Sequence, residues 1–186
     1  MSAAARLAVT LALLLAGAGA SAQQFQQQQP ANSILLVARP ELADPNFRHT
    51  VVLVTQTADG PTLGVILNRP TAQQHAGRPL WFGGPVLERV VVALYHSPQP
   101  PPAPAFHVLA HVYLTMHPRN IEALLAAPDA RFRLYAGFSA WGPGQLKSEF
   151  GRNAWYVLPA DEALLFRDDA DALWEELLAK ASAPQT

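Results

Sequence analysis

The strongest constraint on the fold is a pair of apolar runs, rich in β-branched residues, that flank a turn sequence. The runs cover residues 51–57 and 63–67, and the segment between them contains Asp59-Gly60. Asp-Gly favours the tight turns that join antiparallel strands, and β-branched residues favour the strands themselves. The sequence therefore predicts a β-hairpin at this point.

Further strand patterns surround this hairpin. Residues 68–79 are polar and rich in Gly and Pro, which predicts a loop after its second strand. Residues 106–115 are β-rich and form either one strand or two. The remaining strands are predicted over residues 33–37, 90–96, 131–135 and 154–158.

Helical patterns are confined to the last part of the chain. Pro118 suits a first helical position, with Thr115 or His117 as the capping residue, and predicts a helix that ends near Pro128. The last helix is predicted over residues 168–180, because acidic residues occupy its first turn and a lysine its last, as the helix dipole favours.

A shorter helix is predicted between the Trp-Gly-Pro-Gly-Gln sequence at 141–145 and Phe150. Leu146 and Phe150 are four residues apart and would share one apolar face, and Gly151 would end the helix in the left-handed conformation. Because strands lead and helices trail, the fold class is α+β, with a largely antiparallel sheet that can close into a barrel.

The first 22 residues have the layout of a secretory signal peptide. Arg6 is their only charge, residues 7–16 are almost wholly apolar, and small residues precede the cleavage position. The apolar stretch is shorter than the roughly 20 residues that a membrane helix needs, so we expect no transmembrane span in the mature protein and export to the periplasm or the medium. The expected segments are a signal peptide at 1–22, a Gln-rich spacer at 23–32, one domain at 33–180 and a tail at 181–186.

Charge and cysteine content argue against several classes of function. Removing residues 1–22 takes away Arg6 alone, so 12 of the 13 basic side chains remain against 14 acidic ones. Nucleic-acid binders usually carry a basic surface that neutralises phosphates, so nucleic acid is disfavoured as a partner. The chain has no cysteine, which excludes disulfides, thiolate chemistry and cysteine-ligated zinc.

Several short motifs occur in a characteristic order and spacing. They are Asp44-x-x-Phe47, Gly64-Val65-Ile66-Leu67-Asn68-Arg69-Pro70, Gly83-Gly84-Pro85, Tyr135-Ala136-Gly137, Trp141-Gly142-Pro143-Gly144-Gln145-Leu146, Glu149 and Asn153-Ala154-Trp155. With this set the chain resembles the AlgH/YqgE family of bacterial proteins over about residues 33–174. The resemblance implies a compact α+β fold with a barrel-like mixed sheet and flanking helices. A regulatory role in alginate production, often described as transcriptional, is attached to the family name.

Two features depart from that family. Its members are usually regarded as cytoplasmic, whereas this chain begins with the layout of an export signal, and export would not be compatible with a transcriptional role. Lys147 stands where a glutamate is common after the Gln-Leu pair, while Glu149 keeps its place.

The start of the helix after Trp141 is the first candidate binding site. Pro143 has no N–H and presets the backbone, so the free N–H groups of Gly144, Gln145 and Leu146 would point outward at the positive end of the helix dipole. This predicts a small phosphate or carboxylate pocket with Trp141 as a stacking face and Arg39 or Arg69 nearby. Alternatively, these residues build only a tight strand-to-helix turn and Trp141 packs in the core.

Two other turns suggest a similar site. Arg69 precedes a proline, so its backbone is extended and its guanidinium would project in a fixed direction, while Gly83-Gly84 would allow close approach of a ligand or of another strand. A purely structural turn is the alternative at both places. The spacing fits neither a P-loop nor a dinucleotide fingerprint, and no cofactor is predicted. The candidate ligand-binding residues are Arg39, Asn68, Arg69, Gly83, Gly84, Trp141, Gly142, Gly144 and Gln145.

Catalytic and metal-binding patterns are weak. Ser139 follows a glycine after a predicted strand, but every histidine precedes it, contrary to the hydrolase order. His107 and His111 would lie about 13 Å apart on a strand, too far to share an ion, so no metal site is predicted. The sequence thus favours a non-catalytic binding or regulatory module for a small anionic ligand or a protein partner. The alternative is a hydrolase-type enzyme that uses Ser139 or a histidine.

Overall fold

A computed structural model describes residues 33–55 and 62–183. Within these residues, ten strands form a curled, mostly antiparallel sheet, and four helices accompany it. The class is α+β with a half-barrel sheet, as predicted. The predicted signal peptide, the spacer, the Asp59-Gly60 turn and the last three residues of the tail lie outside the described residues.

The described elements follow one another in a simple order. The strands are β1 (Ser33–Ala38), β2 (Val51–Thr55), β3 (Thr62–Ile66), β4 (Pro70–His75), β5 (Arg78–Phe82), β6 (Val86–His96), β7 (Phe106–Leu109), β8 (Val112–Thr115), β9 (Phe132–Trp141) and β10 (Trp155–Pro159). The helices are α1 (Pro118–Ala126), α2 (Gln145–Gly151), α3 (Glu162–Leu165) and α4 (Ala170–Ser182).

The sheet runs in the order β10-β1-β2-β3-β9-β6-β8-β7. Strand β5 pairs with β9 in parallel and with β4 in antiparallel orientation, so the sheet is mixed. The sheet curls until β7 approaches β2, where the hydroxyl of Thr55 donates to the carbonyl of His107 at 3.4 Å.

The core has three parts. The interior of the half-barrel is filled by side chains such as Leu35 and Tyr135, together with Leu173 and Leu177 of α4. A second cluster lies against the other face of β1, β2 and β3 and contains Trp141 and Trp155. A third cluster involves Ile121 of α1. The second cluster underlies the candidate site.

The hairpin predicted at residues 51–67 is confirmed by the antiparallel pairing of β2 with β3, in which Val52 faces Ile66. Residues 106–115 form two strands, one of the alternatives that the sequence left open. They pair antiparallel, with His107 opposite Tyr113.

The loop predicted at residues 68–79 is wrong in part, because β4 and β5 form a second hairpin there. All residues of β4 except His75 are exposed, so the strand lacks the apolar alternation by which strands are recognised. The turn places Ala76 and Gly77 at φ values of 49° and 74°, as tight hairpin turns require.

Two strands are longer than predicted. Strand β6 begins at Val86 rather than Val90, and its first part contains a bulge in which Leu87 has a φ of 48°. Strand β9 continues past residue 135 to Trp141. Gly137, at a φ of 67°, lies inside the strand and does not end it. A Cβ at residue 137 would lie 2.6 Å from the backbone carbonyl of Gly84, so the close contact between the two segments requires a glycine here.

The helix at Pro118 is confirmed, and the ring Nδ1 of His117 accepts from the N–H of Arg119 at 3.2 Å as its cap. The predicted end of the short helix is wrong. Gly151 is the last helical residue, and Asn153 adopts the left-handed conformation with a φ of 53°. Only Leu146 of its predicted apolar face is buried, while Phe150 stays 36% exposed.

The last helix begins at Ala170 rather than at residue 168. Asp169 precedes it without a capping hydrogen bond, because its carboxylate pairs with Arg167. This hydrogen-bonded pairing lowers the pKa of Asp169. Helix α3 was not predicted, since its four residues are too few for a periodic pattern.

Candidate ligand-binding cleft

The predicted site residues do not converge on one place. Gly83 and Gly84 are buried inside the sheet, where a Cβ on Gly83 would lie 2.3 Å from the carbonyl of Gly137. A Cβ on Gly84 would lie 2.4 Å from the hydroxyl of Ser139. Such distances leave no room for a ligand, and these glycines serve the close contact between their segment and β9.

Asn68 and Arg69 lie at the corner between β3 and β4 and bind the backbone of the β1–β2 connection. The amide of Asn68 accepts from the N–H of Val51 at 2.8 Å and donates to the carbonyl of His49 at 3.0 Å. Arg69 donates to the carbonyl of Arg48 at 2.8 Å. Burial, and then the nearby Arg48 guanidinium, lower the pKa of Arg69.

Arg39 lies at the beginning of the same connection. Its guanidinium carbon stacks 3.9 Å from the ring centre of Tyr156, and its backbone N–H donates to the carbonyl of Ala154 at 3.0 Å. Its Nε is buried and has no hydrogen-bond partner among the described residues. The side chain therefore packs on β10, and within residues 33–55 and 62–183 it makes no hydrogen bond or ring contact with the start of α2.

The start of α2 is a closed turn. The side-chain carbonyl of Gln145 accepts from the N–H of Gly142 at 3.2 Å, and the N–H of Gln145 donates to the carbonyl of Gly142 at 3.1 Å. Gly144 is the capping residue at a φ of 76°. One of the N–H groups that an anion would use, that of Gln145, is thus bonded within the turn, as in the structural alternative.

Trp141 packs in the core, at 4% exposure, and belongs to an aromatic group with Phe47 and Trp155. The ring centre of Phe47 lies 6.2 Å from that of Trp141 and 5.8 Å from that of Trp155. The residues are far apart in sequence, and all three belong to the motifs on which the family resemblance rests.

The carboxylate of Glu149 joins this aromatic group to α2. Its Oε2 accepts from the indole Nε1 of Trp141 at 3.0 Å and from that of Trp155 at 2.8 Å. Its Oε1 accepts from the side-chain amide of Gln145 at 3.1 Å. A carboxylate offers about four acceptor positions, so Glu149 retains capacity for one further donor.

Beside this group opens a cleft of about 330 Å³. One wall is formed by the β1–β2 connection, which we call the wall loop (residues 39–50). The other is formed by the corner between α2 and β10. The cleft is lined by Glu41, Leu42, Ala43, Asp44, Phe47, Glu149, Arg152, Asn153, Ala154 and Trp155.

The lining of the cleft carries three carboxylates and one guanidinium. The side chains of Glu41 and Arg152 make no hydrogen bond or ion pair within residues 33–55 and 62–183. The Oδ1 of Asp44 accepts from the N–H of Asn46 at 2.8 Å. The cleft therefore combines a net negative charge with aromatic side chains.

Several residues that line this cleft belong to the sequence motifs, but the sequence alone does not show that they come together. Asp44, Phe47, Glu149 and Trp155 are motif residues that the ligand-site prediction left out, because nothing in their spacing shows that the wall loop and the corner between α2 and β10 line one cleft. Of the nine predicted residues, Trp141 and Gln145 contact Glu149.

Ser139 and the histidines are not brought together. Ser139 lies within β9, is 0% exposed, and donates to the carbonyl of Gly83 at 3.2 Å. The ring of His107 stacks on that of Tyr113, with 5.1 Å between the ring centres, whereas the ring centre of His111 lies 5.8 Å from that of His96. In the described part of the chain, no group of three or more His, Asp or Glu side chains could hold a metal ion.

No helix among the described residues is long and apolar enough to cross a membrane.

These features define the class of protein: an α+β half-barrel domain with an open, aromatic-lined, acidic cleft. The chain belongs to the AlgH-like family, whose sequence profile matches residues 35–185. A UPF0301 protein of Streptomyces coelicolor is 36% identical over 166 residues, which cover 78% of this chain and 84% of the relative. The resemblance to the AlgH/YqgE family is thereby confirmed.

Solved structures agree with the fold. The solution structure of the AlgH protein from Pseudomonas aeruginosa matches with a TM-score of 0.65 and 25% identity, over 86% of this chain and 99% of that protein. The crystal structure of a Corynebacterium diphtheriae protein matches with a TM-score of 0.66 and 21% identity, over 84% and 90% of the two chains, and shows the fold alone. Family membership leaves the activity to be argued from the site.

Proposed function

We propose that this protein is a non-catalytic binding module whose cleft holds a positively charged side chain of a protein partner. The observation that carries the proposal is the meeting of carboxylates and aromatic rings around one cleft. Glu41, Asp44 and Glu149 line it beside Phe47 and Trp155, and Arg152 is the one basic residue in its lining.

The chemistry of this lining suits an arginine or lysine side chain. Cations are attracted to the faces of aromatic rings, and carboxylates form charge-assisted hydrogen bonds with guanidinium and ammonium groups. A volume of about 330 Å³ lies at the small end of ligand pockets. The cleft therefore accommodates a single extended side chain better than a large ligand.

A small anion, the other ligand predicted from the sequence, is less well supported. It would meet three carboxylates in the cleft, and at the start of α2 it would compete with the hydrogen bonds between Gln145 and Gly142. The unpaired Arg152 is the feature in its favour. We therefore include an anionic probe in the test below.

The hydrolase alternative has little support from the geometry. A nucleophile must be reached by its substrate, and Ser139 is 0% exposed. Its hydroxyl donates to the carbonyl of Gly83 rather than to a base, so among the described residues Ser139 does not form the activated pair that acyl transfer needs.

The location of the module is a separate proposal. The layout of residues 1–22 supports export to the periplasm or the medium, where the partner would then reside. Fractionation of cells that express the full chain tests this idea. Recovery of the processed protein in the periplasm supports export, and recovery of the unprocessed chain in the cytoplasm contradicts it.

The binding proposal is tested by thermal unfolding in the presence of small probes. Binding to the folded state raises the melting temperature by mass action. About 10 mM acetyl-Gly-Arg-Gly-amide should raise it by about 3 °C if the dissociation constant is on the order of 1 mM. Acetyl-Gly-Glu-Gly-amide at the same ionic strength should have no effect.

A charge-neutral variant identifies the site. Glu41→Gln combined with Asp44→Asn keeps the size of both side chains and should abolish the shift. The matched control combines Glu175→Gln with Asp129→Asn, two exposed acids outside the lining, and should retain it. The proposal fails if the glutamate probe raises the melting temperature as much as the arginine probe, or if both variants respond like the unmodified chain.

A further inference from the structure

We infer that Asn68 and Arg69, two residues predicted to bind a ligand, are instead positioning residues that hold the wall loop in the shape that forms the cleft. Their side chains donate to the backbone carbonyls of two consecutive residues of that loop, His49 and Arg48. The consequence for ligand affinity rests on the function proposed above, whereas the consequence for the loop does not.

Asn68 extends the ladder between β2 and β3 beyond its last backbone pair. The N–H of Leu67 donates to the carbonyl of Val51 at 2.8 Å. The next two contacts come from the Asn68 side chain, which bonds the N–H of Val51 and the carbonyl of His49. The side-chain amide of Asn68 thus makes the two hydrogen bonds that the backbone of a longer β3 would make, and it fixes the end of the wall loop to the sheet.

Arg69 holds Arg48, the residue that precedes His49 in the wall loop. Its guanidinium donates to the carbonyl of Arg48 at 2.8 Å, while its own carbonyl accepts from the N–H of Phe82 at 2.8 Å. The arginine is therefore anchored to β5 through its backbone and reaches the wall loop through its side chain. Arg48 itself is exposed.

The loop needs this support because its backbone is strained. His49 has a φ of 56°, in the left-handed region that non-glycine residues occupy only when their surroundings hold them there. Its ring lies 4.3 Å from that of Trp174 in α4, and its carbonyl is held by Asn68.

A short series of hydrogen bonds connects the segment around His49 to the cleft. The N–H groups of Phe47 and Arg48 both donate to the carbonyl of Asp44, at 3.1 Å and 2.8 Å. The hydroxyl of Thr50 donates to the carbonyl of Phe47 at 2.6 Å. Release of Arg48 and His49 would therefore displace Asp44 and Phe47, which line the cleft.

Hydrogen exchange of the full chain tests the inference without any ligand. In Arg69→Met and in Asn68→Ala, the amides of Phe47 and Arg48 should exchange about tenfold faster, because local opening becomes easier. Neither amide bonds to the altered side chain, so the effect reports on the whole loop. The amide of Leu53, inside β2, should be unchanged.

Matched variants separate positioning from general damage. Arg119→Met alters an exposed arginine on α1 and should leave exchange of the loop unchanged. Arg69→Lys retains a donor on a long side chain and should restore much of the protection. Unchanged exchange of Phe47 and Arg48 in both Arg69→Met and Asn68→Ala would overturn the inference, as would equal acceleration throughout β2.

Binding of the arginine tripeptide gives the second readout. If the unmodified chain binds it, Arg69→Met should weaken binding by about fivefold to tenfold, since the competent conformation of the loop is less populated, and Arg119→Met should not. Unaltered affinity in a variant with a loosened loop would overturn the link to the cleft. If the unmodified chain binds no probe, the proposed function fails, and hydrogen exchange alone decides the inference.

Discussion

The carboxylate of Glu149 and the indole of Trp155 are joined by a hydrogen bond of 2.8 Å, from Nε1 to Oε2. The same oxygen accepts from the indole of Trp141 at 3.0 Å. One carboxylate therefore fixes two rings of the aromatic group beside the cleft, and it links α2 to the ends of β9 and β10.

Replacement of Glu149 should destabilise the fold more than its position on a short helix suggests. Glu149→Ala leaves two indole N–H groups without their acceptor, which should lower the free energy of unfolding by about 2–4 kcal/mol. Glu149→Gln retains one acceptor oxygen and should cost about half as much. Urea denaturation measures both values.

The neighbouring Lys147 provides the control for that measurement. It is exposed on the same helix, and Lys147→Ala should change the free energy of unfolding by less than about 0.5 kcal/mol. A loss in Glu149→Ala no larger than that of Lys147→Ala would show that the carboxylate does not fix the rings.

Gly84 should tolerate no side chain. Its φ is 145°, and a Cβ there would lie 2.5 Å from the backbone of Phe138, so Gly84→Ala should lower the free energy of unfolding by at least about 3 kcal/mol. Gly151 has no atom within 4 Å of such a Cβ, and Gly151→Ala should be neutral or stabilise by up to about 1 kcal/mol. Equal stabilities of the two variants in denaturant titrations would contradict this packing.

Tyr95 should make stability fall at alkaline pH. Burial, and then the neighbouring Tyr113, raise the pKa of Tyr95 from 10.0 to about 12. A raised pKa means that the neutral hydroxyl stabilises the fold fully below about pH 10, and that this contribution disappears as the pH rises towards about 12. Denaturant titrations across this range should therefore show a smaller decline for Tyr95→Phe than for the unmodified chain.

At neutral pH the same substitution should do little. The hydroxyl of Tyr95 is buried without a hydrogen-bond partner among the described residues, so its removal should change the free energy of unfolding by less than about 1 kcal/mol. If the free energy of unfolding falls equally in the two proteins between about pH 10 and 12, the pKa of Tyr95 is not raised in the folded state.

Ser139 should not react in the folded protein. It is 0% exposed, so a fluorophosphonate probe should leave the native chain unlabelled. Ser139→Ala should lower the free energy of unfolding by only about 1 kcal/mol, because the carbonyl of Gly83 also accepts from the N–H of Ile66. Labelling that disappears in Ser139→Ala would revive the hydrolase alternative.

Local signals in the sequence predicted much of the fold. The hairpin of β2 and β3 has β-branched strands, and α1 begins at a proline behind a capping histidine. The second hairpin had no such signal, because β4 is exposed almost throughout and needs no apolar alternation. Strand β9 continues through Gly137, and the close contact that requires a glycine there is made with Gly84, which is distant in sequence.

The cleft could not be predicted in the same way. Glu149 contacts Trp155 and Trp141 only because α2 packs beside the ends of two strands. Asn68 and Arg69 have the residue types of a ligand site, yet they bind backbone carbonyls of the wall loop. Residue type indicates which bonds a side chain can form, and the tertiary fold decides which partner it meets.

The most direct test of the central claim observes the indole N–H signals of the four tryptophans by NMR during titration with acetyl-Gly-Arg-Gly-amide. Trp141 and Trp155 share Glu149 beside the cleft, whereas Trp81 belongs to the interior cluster of the half-barrel. We predict saturable shifts of the Trp141 and Trp155 signals and none of Trp81, with no response to the glutamate tripeptide. Unmoved Trp141 and Trp155 signals, or equal shifts with the glutamate tripeptide, would contradict a cleft that binds positively charged side chains.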